Sequence, residues 1–231
     1  MPSATIFGIT MPSTPLPDWE ALLSSAAHLQ RIVPEAVLVG GTAAASFAHH
    51  RISVDHDHTL TDLRARFDDV LAKLESVAGW RTARVKRPVL ILGSLDGIET
   101  GVRQLIRETP LETETIEVGG EKLTVPTRAE MLRIKAVLIV KRNATRDYLD
   151  FVAMSELIGR NATVSALESF DLLYPQTNGQ SVRQQLQVQL ANPMPYDLDE
   201  TNLAEYKKLK PEYQDWASVS AKCREIANAL W

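Results

Sequence analysis

One stretch constrains this chain more than any other. Val37-Leu38-Val39 is a short, continuous apolar run, as in a strand buried on both faces, and it leads directly into Gly40-Gly41-Thr42-Ala43. Arg51-Ile52-Ser53-Val54-Asp55-His56-Asp57-His58 follows. Together these predict a strand, a glycine turn into a short helix over Thr42–His49, and a second strand over Arg51–His58. A glycine pair lets the backbone turn tightly and approach a ligand with no Cβ in the way. Amides at the start of the following helix point toward where a phosphate would sit. Asp55 and Asp57 are two apart, so in a strand they share a face, roughly 6–7 Å apart along it. Two carboxylates on one face make a site for Mg²⁺ that leaves room for phosphate oxygens. Asp-x-Asp alone is common in exposed turns; the strand and glycine turn upstream give it weight. A phosphate cradle beside a metal-binding carboxylate pair is what nucleotidyl transfer needs.

The rest of the chain supplies a frame for that stretch. Asp18 is placed to cap a helix over 18–32, where Trp19, Leu22, Leu23, Ala26, Ala27 and Ile32 recur at helical spacing. A helix over Thr61–Val77 is followed by strands at Trp80–Val85, Val89–Leu92 and Gly97–Ile106. Gly119-Gly120 between alternating segments is a hairpin signal. Thr127-Arg128-Ala129-Glu130 matches a capping box opening a helix to Arg142, and a further helix runs from Thr145 to Gly159. Residues 162–174, 181–191 and 215–230 read as helices. Helices between early strands, hairpins later and helices last predict an α/β fold with a mixed sheet and a C-terminal helical region. The expected divisions are a loose, proline-bearing arm over 1–16, an α/β domain over 17–126, and a helical region over 127–231 that completes the cleft.

Bulk properties narrow the class of partner. A net charge of −4 gives no global pull toward nucleic acid, so such binding needs a local patch. Arg81, Arg84, Lys86 and Arg87 form one candidate; Arg128, Arg133, Lys141, Arg142 and Arg146 form another. Cys223 is the only cysteine, which precludes an intrachain disulfide and fits a reducing compartment. The longest apolar runs, such as Ala136–Val140, are too short for a bilayer, and the first residues lack a signal-peptide pattern. A cytoplasmic location without a membrane partner is expected.

The sequence resembles a known family at these residues. Gly40-Gly41 followed by Ser53-x-Asp55-x-Asp57 is similar to the first motif of the DNA polymerase β-like nucleotidyltransferase superfamily. The Gly-Gly-Thr-Ala and His-Arg-x-Ser-x-Asp-x-Asp wording is closest to the AbiEii/AbiGii toxin-type nucleotidyltransferases. The resemblance extends over roughly residues 36–158. It implies a nucleotidyltransferase-like mixed sheet and transfer of a nucleoside monophosphate from an NTP to an acceptor such as a tRNA 3′ end. Mg²⁺ is the implied ion, with Mn²⁺ the alternative, and a separate antitoxin protein the implied partner of a type IV toxin–antitoxin system.

Site roles follow in part from the residues and in part from that likeness. Asp55 and Asp57 are expected to bind the metal, and the amides of Gly40 and Gly41 with the Thr42 hydroxyl to hold phosphates. Ser53 is placed either to bond a phosphate or as an ordinary strand polar residue. Lys135 lies among apolar neighbours on a stripe with Arg128 and Arg142, seven residues apart. It matches the family's Lys-x-x-Ala/Val…Arg pattern, which implies that Lys135, with Arg142, contacts the nucleotide phosphates. Asn143-Ala-Thr-Arg-Asp147-Tyr148-Leu-Asp150 continues the likeness. Asp147 fits an acid favoured at a helix start, and Asp150 is the candidate to orient Lys135 or an incoming hydroxyl. A two-metal site wants a third carboxylate on a neighbouring strand. Over Gly97–Ile106 the only acid is Glu99, with Gly101 and Arg103 following on its face. This leaves either one tightly held ion or Glu99 in place of an aspartate.

Two rival readings stand beside this one. A non-catalytic nucleotide-binding or regulatory protein on the same fold would explain the poor third carboxylate. His49, His50, His56 and His58 around the aspartates would suit a metal-dependent hydrolase if they met in one cage. In a regular strand, however, His56 and His58 face away from the aspartates.

Overall fold

The structure is a computed structural model and describes residues 18–230; the arm expected over 1–16 lies outside them. The elements in order are α1 (Trp19–Ile32), β1 (Val37–Val39), α2 (Gly40–Ala48), β2 (His56–Leu60) and α3 (Leu63–Glu75). Then come β3 (Trp80–Lys86), β4 (Leu90–Leu95), β5 (Ile98–Gln104), β6 (Thr113–Val118) and β7 (Glu121–Pro126). The helices α4 (Arg128–Arg142), α5 (Thr145–Ile158), α6 (Arg160–Ala166), α7 (Phe170–Leu173), α8 (Val182–Ala191) and α9 (Trp216–Ala229) complete the chain.

Five strands form a mixed sheet in the order β1-β2-β5-β4-β3. Only β2 and β5 run parallel; the other neighbours are antiparallel. A parallel pair needs a long crossover, and here α3 with the β3–β4 hairpin provides it. β6 and β7 pair separately as the hairpin expected at Gly119-Gly120, both of which have positive φ. The Gln30 side chain joins α1 to β7, donating to the Thr124 carbonyl and accepting from its N–H, both at 2.8 Å.

Two hydrophobic clusters hold these layers. Leu29, Leu63, Phe67, Leu74, Ile91 and Val102 pack α3 and the end of α1 on the sheet. The larger cluster joins Leu38, Ala43 and Leu123 to Leu132, Phe151 and Val219. The change from strands to helices at residue 126 therefore does not divide the core. α4 is buried over most of its surface, and Tyr148 and Phe151 of α5 are fully enclosed.

Three local expectations need correction. Asp18 occupies the N-cap position of α1 but makes no side-chain capping bond. Thr127 caps α4 through the Glu130 N–H, yet Glu130 does not reach back; its carboxylate takes Arg107 and Arg133 instead. Arg51–Asp55 is irregular and the strand begins only at His56. The segment 206–210 crosses that loop, with Ile52 N–H donating to the Lys207 carbonyl and Lys210 N–H to the His50 carbonyl, both at 2.9 Å. Those backbone groups are satisfied by a segment more than 150 residues away, so they form no ladder with the sheet.

Candidate active site

A cavity of about 750 Å³ opens where the β1–α2 turn, the central strands and α4 meet. Gly40, Asp55, Asp57, Glu99 and Thr100 line one side of it, and Arg81, Arg103, Arg142 and Arg146 bring positive charge to it. Although Asp55 precedes β2, both aspartates reach this cavity. His56 between them turns the other way, its Nε2 3.0 Å from Ser25 Oγ on α1 and its Nδ1 2.9 Å from Thr100 Oγ1.

The glycine turn does two separate jobs. Gly40, beside Asp57, has φ +77°, the left-handed conformation that glycine adopts freely. A Cβ on Gly41 would lie 2.5 Å from Arg51 Nη2. Gly41 is thus glycine to admit the Arg51 guanidinium, and it does not line the cavity. Thr42, fully buried, donates its hydroxyl to the Asp55 carbonyl. Ser53 Oγ lies 3.2 Å from Asp55 Oδ1 and 3.3 Å from the Asp55 carbonyl. Both hydroxyls therefore position Asp55. Neither has a donor to spare for a phosphate, which corrects that expectation for Thr42 and Ser53.

The expected role of Lys135 changes in the same way, whereas Asp150 does contact Lys135, the first of the two roles expected for it. Lys135 is 2% exposed and does not line the cavity; its Nζ lies 2.8 Å from Asp150 Oδ2. Asp150 is fully buried, and Arg51 grips it through Nε at 2.8 Å and Nη2 at 3.0 Å. His50 Nε2 lies 2.7 Å from Asp150 Oδ1. Burial alone would push the Asp150 carboxyl up, but the charges of Arg51 and Lys135 and the His50 bond hold it well below the usual carboxylate range. Burial also pushes His50 down, against the pull of Asp150, so the imidazole stays neutral. This cluster ties α2's end, the 50–55 loop, α4 and α5 together beneath the turn. It supports Asp55 and Gly41 from behind; it is not itself a phosphate contact.

Arg142 does line the cavity, but its guanidinium forks onto Asp147, with Nη2 2.6 Å from Oδ1 and Nε on Oδ2. Asp147 is fully buried at the start of α5, as an acid favoured there should be. Arg103 Nε lies 3.4 Å from Asp57 Oδ1. His50 and Arg51 stood in the motif and Arg103 on the strand of Glu99, but nothing in the sequence paired them with Asp150 or Asp57.

The carboxylates set what the cavity can bind. Asp55 and Asp57 are hard oxygen donors with open space in front, as Mg²⁺ or Mn²⁺ needs when phosphate and water oxygens complete the shell. On β5, Gly101 stands level with Asp57, and a Cβ there would lie 3.3 Å from Asp57 Oδ1 and 2.6 Å from Leu92 Cδ2. Glu99 lines the cavity one step ahead of the His56–Thr100 pair. Among the described residues no three acidic, His or Cys side chains converge as a metal cage. Asp55 and Asp57 offer carboxylate oxygens to an ion there, with Glu99 on the same cavity lining.

The histidines do not form a second site. His50 belongs to the Asp150 cluster, and His49 ends α2 in a left-handed conformation. His56 and His58 are buried edge-to-face, their centroids 5.3 Å apart. Burial pushes His56 down to about 4 and His58 well down as well. The cage that a hydrolase would need is absent among the described residues.

Comparison with known structures decides the fold. Over 85% of its length the chain matches an antigenic nucleotidyltransferase-like protein of Paracoccidioides brasiliensis, covering 95% of that chain at TM-score 0.52 and 17% identity. A nucleotidyltransferase candidate from H. pylori matches 92% of each chain at TM-score 0.52 and 14% identity. The chain has a nucleotidyltransferase-like fold. In sequence the chain is 28% identical, over 94% of its length, to the heme uptake protein MmpL11 of Mycobacterium tuberculosis. It is 31% identical over 128 residues to the mycolic acid-containing lipids exporter MmpL11 of Mycolicibacterium smegmatis. The matches span 23% and 13% of those proteins. No family model matches the chain. None of its described helices is long and apolar enough to cross a membrane.

Proposed function

We propose that this chain is a magnesium-dependent nucleotidyltransferase, moving a nucleoside monophosphate from an NTP to an acceptor hydroxyl. What carries the reading is the meeting of Asp55, Asp57 and the Gly40 turn in one cavity with four arginines. An ion bound at Asp55 and Asp57 would offset charge on the phosphates as the α–β phosphoanhydride bond breaks. Thr42 and Ser53 hold Asp55 in place for it, and Gly40 leaves the backbone open to the phosphates. The acceptor oxygen bonds to the α-phosphorus, pyrophosphate leaves, and the hydroxyl proton passes to Glu99, a cavity carboxylate with no ion pair among the described residues. Arg81 and Arg146 stabilise the departing pyrophosphate.

The resemblance to AbiEii-type toxins extends the proposal to a tRNA 3′ end as acceptor and to a separate antitoxin protein as partner. The arginines at the cavity supply the local positive charge that an acidic chain needs to meet RNA phosphates. Incubation with α-labelled NTPs, Mg²⁺ and total tRNA tests it: label passes to the RNA and pyrophosphate is released in equal amount.

A second reading, non-catalytic nucleotide binding, is favoured by the Arg103 contact on Asp57 and the glycine at 101. It predicts that an NTP binds without label transfer.

A further inference from the structure

Two of the cations expected to hold phosphates are held by fully buried acids, Lys135 by Asp150 and Arg142 by Asp147. Arg103 differs from both. It lines the cavity, and its side chain is 47% exposed. Among the described residues its head makes a single bond, from Nε to Asp57 Oδ1 at 3.4 Å. The terminal Nη groups, which carry most of the N–H donors of a guanidinium, are left for a ligand. The backbone beneath is fixed. Arg103 stands level with Thr59 on one neighbouring strand and Leu90 on the other, and its carbonyl accepts from Thr59 Oγ1 at 3.1 Å. A loosely held cation is thus mounted on a rigid strand beside the aspartates.

Asp57 presents two different sides. Oδ2 lies by the glycine turn, 3.7 Å from where a Cβ on Gly40 would stand, and Oδ1 lies by β5, 3.3 Å from where a Cβ on Gly101 would stand. Residue 101 is level with Asp57, so the Oδ1 side is where a carboxylate on the neighbouring strand would hold a second ion. Glycine stands there instead. Side chains alternate along a strand, so residues 99, 101 and 103 share the face of Asp57. With no side chain at 101, the sheet surface between Arg103 and Asp57 is clear, and the guanidinium reaches back along it to Oδ1. A positive charge therefore already occupies the flank of a second cation, while Oδ2 and Asp55 remain for the first. Glu99, the acid of that face, is left to accept the hydroxyl proton.

We propose that Arg103 stands in for a second metal ion: one divalent cation binds Asp55 and Asp57, and the Arg103 guanidinium contacts the α-phosphate of the NTP from the Oδ1 side. The assignment rests on the reading of the cavity given above. A planar guanidinium holds a carboxylate and phosphate oxygens at once through different N–H groups, and it stays charged at any working pH. Charge that grows on the phosphate oxygens in the transition state then meets a cation already in place. The contact with Asp57 is exposed and contributes little to stability, so it can be removed without unfolding the chain.

The test is equilibrium dialysis of the full chain against Mn²⁺ and each of the four common NTPs in its non-hydrolysable α,β-methylene form, which counts ions and nucleotides held per chain. The unmutated chain holds one Mn²⁺ for each nucleotide. Arg103→Ala lowers nucleotide affinity at least tenfold at an unchanged melting temperature, and Arg103→Lys loses less, because the charge remains. Two ions per nucleotide in the unmutated chain, or undiminished affinity in Arg103→Ala, overturns the assignment. If Asp57→Asn loses the ion and the nucleotide while Arg103→Ala binds both as before, the cavity reading stands and Arg103 alone is excluded. If the unmutated chain holds neither ion nor nucleotide, both fall together.

Discussion

Asp57 on β2 stands level with Gly101 on the parallel strand β5, so no carboxylate projects from the position beside it. The reason is steric as well as chemical. A Cβ at 101 would lie 2.6 Å from Leu92 Cδ2 and 3.1 Å from the Ile91 carbonyl oxygen. Leu92 can swing aside, but the carbonyl belongs to the ladder and cannot. Gly101→Ala is therefore expected to lower stability by about 1 kcal/mol or more, despite the roughly 0.5–1 kcal/mol that leaving glycine would otherwise return. Urea denaturation of the two proteins measures it, and an unchanged midpoint counts against the packing described.

The buried cluster makes a sharper claim. Asp150→Asn leaves Lys135 and Arg51 enclosed without a counter-charge, at a cost of about 3–5 kcal/mol. Lys135→Met costs less, because Arg51 still neutralises Asp150. The two changes together cost less than their sum, with a coupling of roughly 0.5–3 kcal/mol. Strict additivity in the denaturation midpoints would mean that the pair is not energetically joined.

Stability should fall on mild acidification, well before the carboxylates titrate. His50, His56 and His58 are held neutral by burial, all below the ordinary histidine value. The unfolded chain takes up their protons first, so the stability they contribute is full above about pH 6.5 and is lost as pH drops toward their folded values. Asp150, shifted down, keeps its contribution until pH falls below the usual carboxylate range. Urea midpoints at pH 7.5 and pH 5 give the slope, and His50→Gln makes it shallower. A flat profile between those pH values contradicts the buried, neutral histidines.

Divalent cation and nucleotide should stabilise the fold jointly. At a hundred times the dissociation constant a ligand adds about 2.7 kcal/mol. Thermal melts with Mg²⁺ and NTP rise above those with either alone, and a chelator removes the increment. Asp55→Asn abolishes it too. A rise that survives chelation would place the nucleotide away from the aspartates.

Much of this was legible in the residues because it is local. The Val37–Thr42 turn, the strands at Trp80–Val85, Val89–Leu92 and Gly97–Ile106, the Gly119-Gly120 hairpin and the helix from Arg128 all follow from periodicity and turn chemistry. The opposed faces of Asp55/Asp57 and His56/His58 follow from the period of a strand, although the ladder starts only at His56. What sequence spacing hid was pairing over distance. Arg51 and Lys135 meet Asp150 from positions 99 residues before it on one side and one helix away on the other. Thus a lysine read as a phosphate contact is structural, and hydroxyls read as phosphate donors serve Asp55.

The most direct measurement follows α-labelled NTP in the presence of Mg²⁺ and tRNA with the unmutated chain and with Asp57→Asn, alongside melting temperatures without ligand. Label passing to RNA in the unmutated chain, and lost at least a hundredfold in Asp57→Asn at a nearly unchanged melting temperature, is the expected result. Full transfer by Asp57→Asn, or none by the unmutated chain, would contradict the assignment of this cavity to nucleotidyl transfer.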